Sequence, residues 1–301
     1  MVAEFYIISE SFTQNSKLSV REIEDRTKSL AKDFVEIKKY KETNKIYIHP
    51  DIYNVNFIND ITIMDLLFNE KTANNQLDRD VRILLKKIII EQEPTNLSTQ
   101  EVIDVLLTEH NQDICHGLIG FNEVEEVDIR LQVVYNLSGW LDFRRYYLGI
   151  YPKNEPFFID ECKKYFPNLF FHERNKESIK DIFQDCPKKI VYHLTALNDK
   201  FNASYNLPDL NRTEILKHFS INARLDEVAS PEGDASRKPD FTFRFLNSEG
   251  INEAVCCEPH LKLCYSDLDL SYSNERRIYF HEGKSNIHNG KILIGHIGCH
   301  L

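Results

Sequence analysis

The stretch Pro239–Lys262, PDFTFRFLNSEGINEAVCCEPHLK, decides how the last third of the chain is read. Phe241, Phe243 and Phe245 alternate with Thr242 and Arg244, so a strand over Phe241–Leu246 places the three rings on one face. Asp240 opens that strand. Asn247–Gly250 has the composition of a turn. The chain resumes at Ile251 and runs through Ala254, Val255, Cys256 and Cys257. Glu258, His260 and Lys262 then fall at every second position. On a strand they would face the same side, with neighbours about 6.5–7 Å apart. Pro259 between them favours an edge strand or a bulge.

These residue types suit phosphodiester hydrolysis. The reaction needs charge on the phosphate oxygens, a group that orients or deprotonates water, and help for the leaving oxygen. Asp240 and Glu258 could share a divalent metal with oxygen ligands, Mg²⁺ or Mn²⁺. Lys262 could hold the phosphate or sit beside the attacking water. His260 could be a metal ligand or a proton carrier. The plain alternative is a β-hairpin with Lys262 as a solvated edge residue.

Pro239–Asp240 followed by Glu258 and Lys262 on the next strand resembles a divergent member of the PD-(D/E)xK nuclease superfamily, over roughly Glu214–Leu301. The resemblance implies a mixed-sheet, restriction-endonuclease-like core. It also implies Asp240, Glu258 and His260 as metal ligands and Lys262 as the residue that assists water. His260 holds the place of the family's second acidic residue, and Glu258 lies four before the lysine. The family often has a further acidic residue on a preceding helix, and Glu214 and Glu227 are both placed for that role. A defence-related use would follow naturally from such an activity.

Around this stretch, Arg212–Leu225 has the apolar spacing of a helix. Ala229–Lys238, ASPEGDASRK, reads as a loop positioned to contact a substrate backbone. Lys238, Arg244, Arg276, Arg277, Lys284 and Lys291 are available to phosphates. Lys291–Leu301, KILIGHIGCHL, is apolar on both faces and predicts a central strand. Five of the 11 His and four of the seven Cys lie after residue 235. Cys256, Cys257, His260, Cys264, His296, Cys299 and His300 offer a structural zinc alternative, without the CxxC pairs of a common finger. His260, His281 and His296 offer another, acid–base RNA cleavage without metal.

The whole chain has 301 residues and a net charge of -10. From Ser236 onward there are 8 Lys+Arg and 8 Asp+Glu, leaving 29 against 39 in the first 235 residues. Coating of nucleic acid by the whole chain is therefore excluded, and any such contact must be local. No stretch approaches the roughly 18 apolar residues of a membrane span. The scattered odd cysteines fit a reduced, cytoplasmic protein.

Capping boxes at Ser19/Glu22 and Ser98/Glu101 start helices. Glu4–Ser9 and Lys45–His49 read as strands, Asp78–Ile90 as a helix, and 123–128 as acidic surface. Trp140 and its Tyr-rich surroundings suit a packed core or a protein contact. Alternating strands and helices predict an α/β or α+β fold. The expected division is an acidic recognition or regulatory region, 1–205, and a nuclease-like domain, 206–301. The competing function is a non-catalytic protein-interaction module, with a protein partner or a second copy as its ligand.

Overall fold

A computed structural model describes residues 1–13, 18–69, 71, 76–124 and 132–301. The chain forms two compact units, Met1–Arg144 and Arg145–Leu301. The boundary expected at 205/206 falls inside the second unit, between two helices. Residues 125–128 of the acidic run lie outside the described residues.

The first unit contains β1 (Val2–Ile7), α1 (Val20–Lys38), β2 (Asn44–Ile48), β3 (Asn56–Ile58), β4 (Ile61–Thr62), α2 (Ile63–Phe68), α3 (Arg79–Ile90), β5 (Glu93–Pro94), α4 (Thr99–Asp104), β6 (Ile114–Ile119) and β7 (Val133–Val134). A last helix, α5 (Leu137–Ile150), runs across the division. Both capping boxes form, at Ser19/Glu22 and Ser98/Glu101. The second helix is shorter than expected, because the chain turns at Val105 into a 3-10 turn, Leu106–Thr108. The main sheet has the order β5-β2-β1-β6-β7 and every pairing in it is parallel. This is the doubly wound order, in which the chain builds outward from β1 first to one side and then to the other. Phe12, Phe57 and Phe121 pack together with ring centroids 5.0–6.1 Å apart.

The second unit contains α6 (Glu155–Tyr165), β8 (Leu169–Phe171), α7 (Asn175–Ser178), α8 (Lys180–Phe183), α9 (Pro187–Tyr205), α10 (Arg212–Ala223), β9 (Thr242–Leu246), β10 (Asn252–Cys256), β11 (His260–Lys262), β12 (Arg276–His281) and β13 (Ile292–Cys299). Its main sheet is mixed, with the order β11-β12-β13-β8; only β13 and β8 are parallel. β13 is central, as its apolar run predicts. β11 lies at the edge, where Pro259 costs no ladder bond.

The two faces of this sheet carry different layers. Phe280 meets Phe201 of α9, which meets Phe219 of α10, so Phe280 faces the helices. Its neighbour Tyr279 points the other way and stacks on Phe241, with centroids 5.0 Å apart. That side is covered by the β9–β10 hairpin, whose Phe241, Phe243 and Phe245 are all buried as the alternation requires. The turn closes as expected. Asn247 Oδ1 accepts from the amides of Glu249 and Ile251, and Gly250 takes the positive φ. The strand opens later than the sequence suggests. Asp240 belongs to a 3-10 segment, Ala235–Phe241, and β9 begins at Thr242.

Candidate functional site

The hairpin-facing side of the second sheet gathers polar groups from four separate parts of the chain. The ladder sets His260 opposite Tyr279, and Tyr279 opposite His296. Their ring centroids lie 5.2 and 5.9 Å apart. His300 comes in beyond β13, 6.4 Å from the Tyr279 ring. Arg277 precedes Tyr279 by two residues and shares its face.

A β-bulge aims His296 at this cluster. Tyr279 pairs with His296 but Phe280 pairs with Ile294, so Gly295 is an extra residue in β13. Strict alternation from Leu293 would send His296 to the helical side; one inserted residue reverses that. Gly295 also has to be glycine. A Cβ there would lie 2.4 Å from the Phe243 ring and 2.9 Å from Cys257 Sγ. A Cβ at Gly298 would lie 2.7 Å from His296 Nε2. That space lets Nε2 donate to the Cys299 carbonyl at 2.9 Å. A carbonyl only accepts, so the Nε2 proton leaves His296 Nδ1 with its lone pair.

The expected loop, Ala229–Lys238, lies along the edge beside β11. Ser230 and His260 exchange two backbone hydrogen bonds, at 3.3 and 3.0 Å. Their side chains also meet, Ser230 Oγ to His260 Nε2, at 3.4 Å. Glu232 Oε2 is 3.6 Å from His300 Nε2, and its other oxygen is 3.9 Å from Arg237. Arg237 lies over the Phe241 ring, 5.4 Å from its centroid.

Five buried polar atoms in this cluster lack a hydrogen-bond partner: Glu232 Oε2, His260 Nδ1, Arg277 Nε, Tyr279 Oη and His296 Nδ1. Each such atom costs about 1–3 kcal/mol of desolvation. Their concentration in one place is a reason to seek a function there. Burial pushes His260 down to about 4, with Arg277 adding to the effect. Burial also pushes His296 down to about 4 and Tyr279 up to about 12. Both imidazoles are neutral at pH 7.

The residues singled out in the sequence are only partly brought together. His260 and Arg277 lie in the cluster. Lys262 lies on the same strand as His260 and faces Glu227, 3.9 Å away. Asp240 is exposed, with Arg237 at 3.7 Å. Glu258 precedes β11 instead of lying on it. It faces Arg212, the first residue of α10, at 3.4 Å. Arg212 also grips Glu282 through two bonds, at 2.5 and 2.9 Å. Glu214 closes a capping box with Asn211. Lys238 and Arg244 are exposed, and Arg276 pairs with Asp185 at 3.0 Å. His281 accepts from the Gly283 amide at the far end of β12. The β11 strand is followed by a loop and β12, without a helix between them.

The donors Asp240, Glu258 and His260 thus turn to three different partners, Arg237, Arg212 and Ser230. Among the described residues, no group of three or more His, Cys, Asp or Glu side chains is placed to hold a metal ion. Among the described residues, the donors expected for Mg²⁺ or Mn²⁺ are held apart in this way, and no three of the cysteines and histidines are placed together for zinc. Sequence reasoning missed Ser230, Glu232 and Tyr279, which carry no local motif. Comparisons with protein-family models, curated proteins and solved structures found no match.

Proposed function

We propose that the second unit cleaves phosphodiester bonds of nucleic acid at the His260–Tyr279–His296 face, by proton transfer through side chains. The observation behind this reading is the gathering of three imidazoles around Tyr279, beside Arg277, among polar atoms that lack partners. His260 and His296 take protons from attacking oxygens, since each has a neutral ring at working pH. Arg277 neutralises the phosphate, which a guanidinium does at any physiological pH. Glu232 Oε2 lies 3.6 Å from His300 Nε2 and sets a carboxylate beside that ring. The acidic chain as a whole makes the contact local.

The test is cleavage of labelled single- and double-stranded RNA and DNA by the full chain, in EDTA and in Mg²⁺ or Mn²⁺. Cutting in EDTA that falls about 100-fold or more in His296→Gln and His260→Gln supports the proposal. Cutting only with metal, lost in Asp240→Ala and Lys262→Ala but kept in His296→Gln, would replace it with the metal-dependent nuclease mechanism. No cutting of any substrate by folded protein refutes it and favours the interaction-module reading.

A further inference from the structure

We infer that Ser230 is the attacking nucleophile of this site, activated by His260, so that cleavage passes through a phosphoserine. The inference rests on reading this face as a phosphodiester site. Its geometry comes from the backbone. Ser230 and His260 form an isolated antiparallel bridge closed by two backbone hydrogen bonds. Residues paired in this way hold their side chains on the same side of the ladder. The 3.4 Å approach of Ser230 Oγ to His260 Nε2 is therefore fixed by main-chain bonds.

The two groups differ in the way the chemistry needs. Ser230 is partly exposed, whereas the His260 ring is 5% exposed. The nucleophile faces the substrate and the base sits behind it. His260 Nδ1 is buried without a hydrogen-bond partner, so Nε2 is the ring nitrogen that meets the serine hydroxyl. With its proton on Nδ1, the ring presents the Nε2 lone pair to accept from that hydroxyl. A second contact of the same type, Ser204 to His218 at 3.0 Å, joins α9 to α10. Ser204 is fully buried there and closed to a substrate.

In the first step Ser230 Oγ bonds to phosphorus and its proton passes to His260 Nε2. The bond from phosphorus to the leaving nucleoside oxygen breaks, and that oxygen takes the proton from the imidazolium. In the second step water attacks the phosphoserine, and its proton goes to His260. The bond from phosphorus to Oγ breaks and Ser230 recovers a proton from His260. The sum is diester plus water to monoester plus alcohol. Arg277 disfavours the imidazolium in the free protein, and a bound phosphate offsets that charge. No 2′-hydroxyl is required, so DNA and RNA are both substrates and no 2′,3′-cyclic phosphate forms.

The experiment uses the full chain and two readouts. Intact protein is treated with a fluorophosphonate and mapped by mass spectrometry, and cleavage of DNA and RNA is measured in EDTA. The adduct is expected on Ser230, absent in Ser230→Ala and His260→Gln, and kept in Ser204→Ala. Cleavage is expected to fall about 100-fold or more in Ser230→Ala, with its circular dichroism unchanged. Cutting by wild type and Ser230→Ala at equal rates, with no adduct on Ser230, overturns the inference and leaves the proposed function standing. An adduct on Ser230 without any nucleic-acid cutting keeps the nucleophile and overturns the substrate class. Neither adduct nor cutting overturns both.

Discussion

Acidification should unfold the second unit well before its carboxylates titrate. His193, His260 and His296 are each pushed by burial from an ordinary 6.5 down to about 4. The folded state holds these rings neutral, and the unfolded chain protonates them more readily. Stability is fully present above pH 6.5 and is lost as the pH falls toward 4. At pH 5 the loss is about 2 kcal/mol per ring, or about 6 kcal/mol for three. A typical domain has about 5–15 kcal/mol in total. His172, His281 and His288 are also lowered and act in the same direction, whereas His116 is the one such ring in the first unit. Urea unfolding at pH 7 and pH 5, with hydrogen exchange followed by peptide, separates the two units. His193→Leu removes one titrating ring, so its loss between the two pH values should be smaller by about 2 kcal/mol. Comparing the pH dependence cancels any packing cost of the substitution. Equal stability of residues 145–301 at pH 7 and pH 5, or an unchanged slope in His193→Leu, would refute the argument.

Other outcomes follow from single contacts. Gly295→Ala drives a methyl group into the Phe243 ring and Cys257 Sγ; thermal or urea unfolding should show a loss of about 1–3 kcal/mol. Gly283→Ala should cost at least as much in the same assay, because φ is +112° and the new Cβ would lie 2.4 Å from the Gly290 carbonyl oxygen. Asn211→Ala removes the capping box of α10 and should cost about 1 kcal/mol. Arg212→Ala leaves Glu258 and Glu282 without their shared cation. Urea unfolding should then show a loss of about 1–3 kcal/mol, because the charged hydrogen bonds from Arg212 to Glu282 are gone.

Much of the second sheet could be read from the sequence because its cause is local. Alternating phenylalanines specify the hairpin, Asn247–Gly250 its turn, and the apolar run after Lys291 a central strand. The helical starts at Ser19, Ser98 and Arg212 follow from side-chain capping within one turn. The boundary at 144/145 could not be read the same way. Asp199–Tyr205 looks polar, yet it completes α9, whose Leu197 and Phe201 are buried against the sheet side of the helix. The parallel pairing of β8 with β13 joins residues more than a hundred apart, and no local pattern specifies it.

The sequence by itself determined the α/β character, the hairpin, the central strand after Lys291 and the concentration of histidines in the last third. Periodicity, turn chemistry and composition act over a few residues and need no partner to be recognised. Only the tertiary structure decided which polar groups meet. Glu258 turns away from His260 because Arg212 of α10 reaches it. His296 joins His260 because Gly295 adds one residue to β13 and reverses the side on which it emerges. Ser230 reaches His260 because a strand edge with unpaired backbone groups bonds to whichever segment lies beside it.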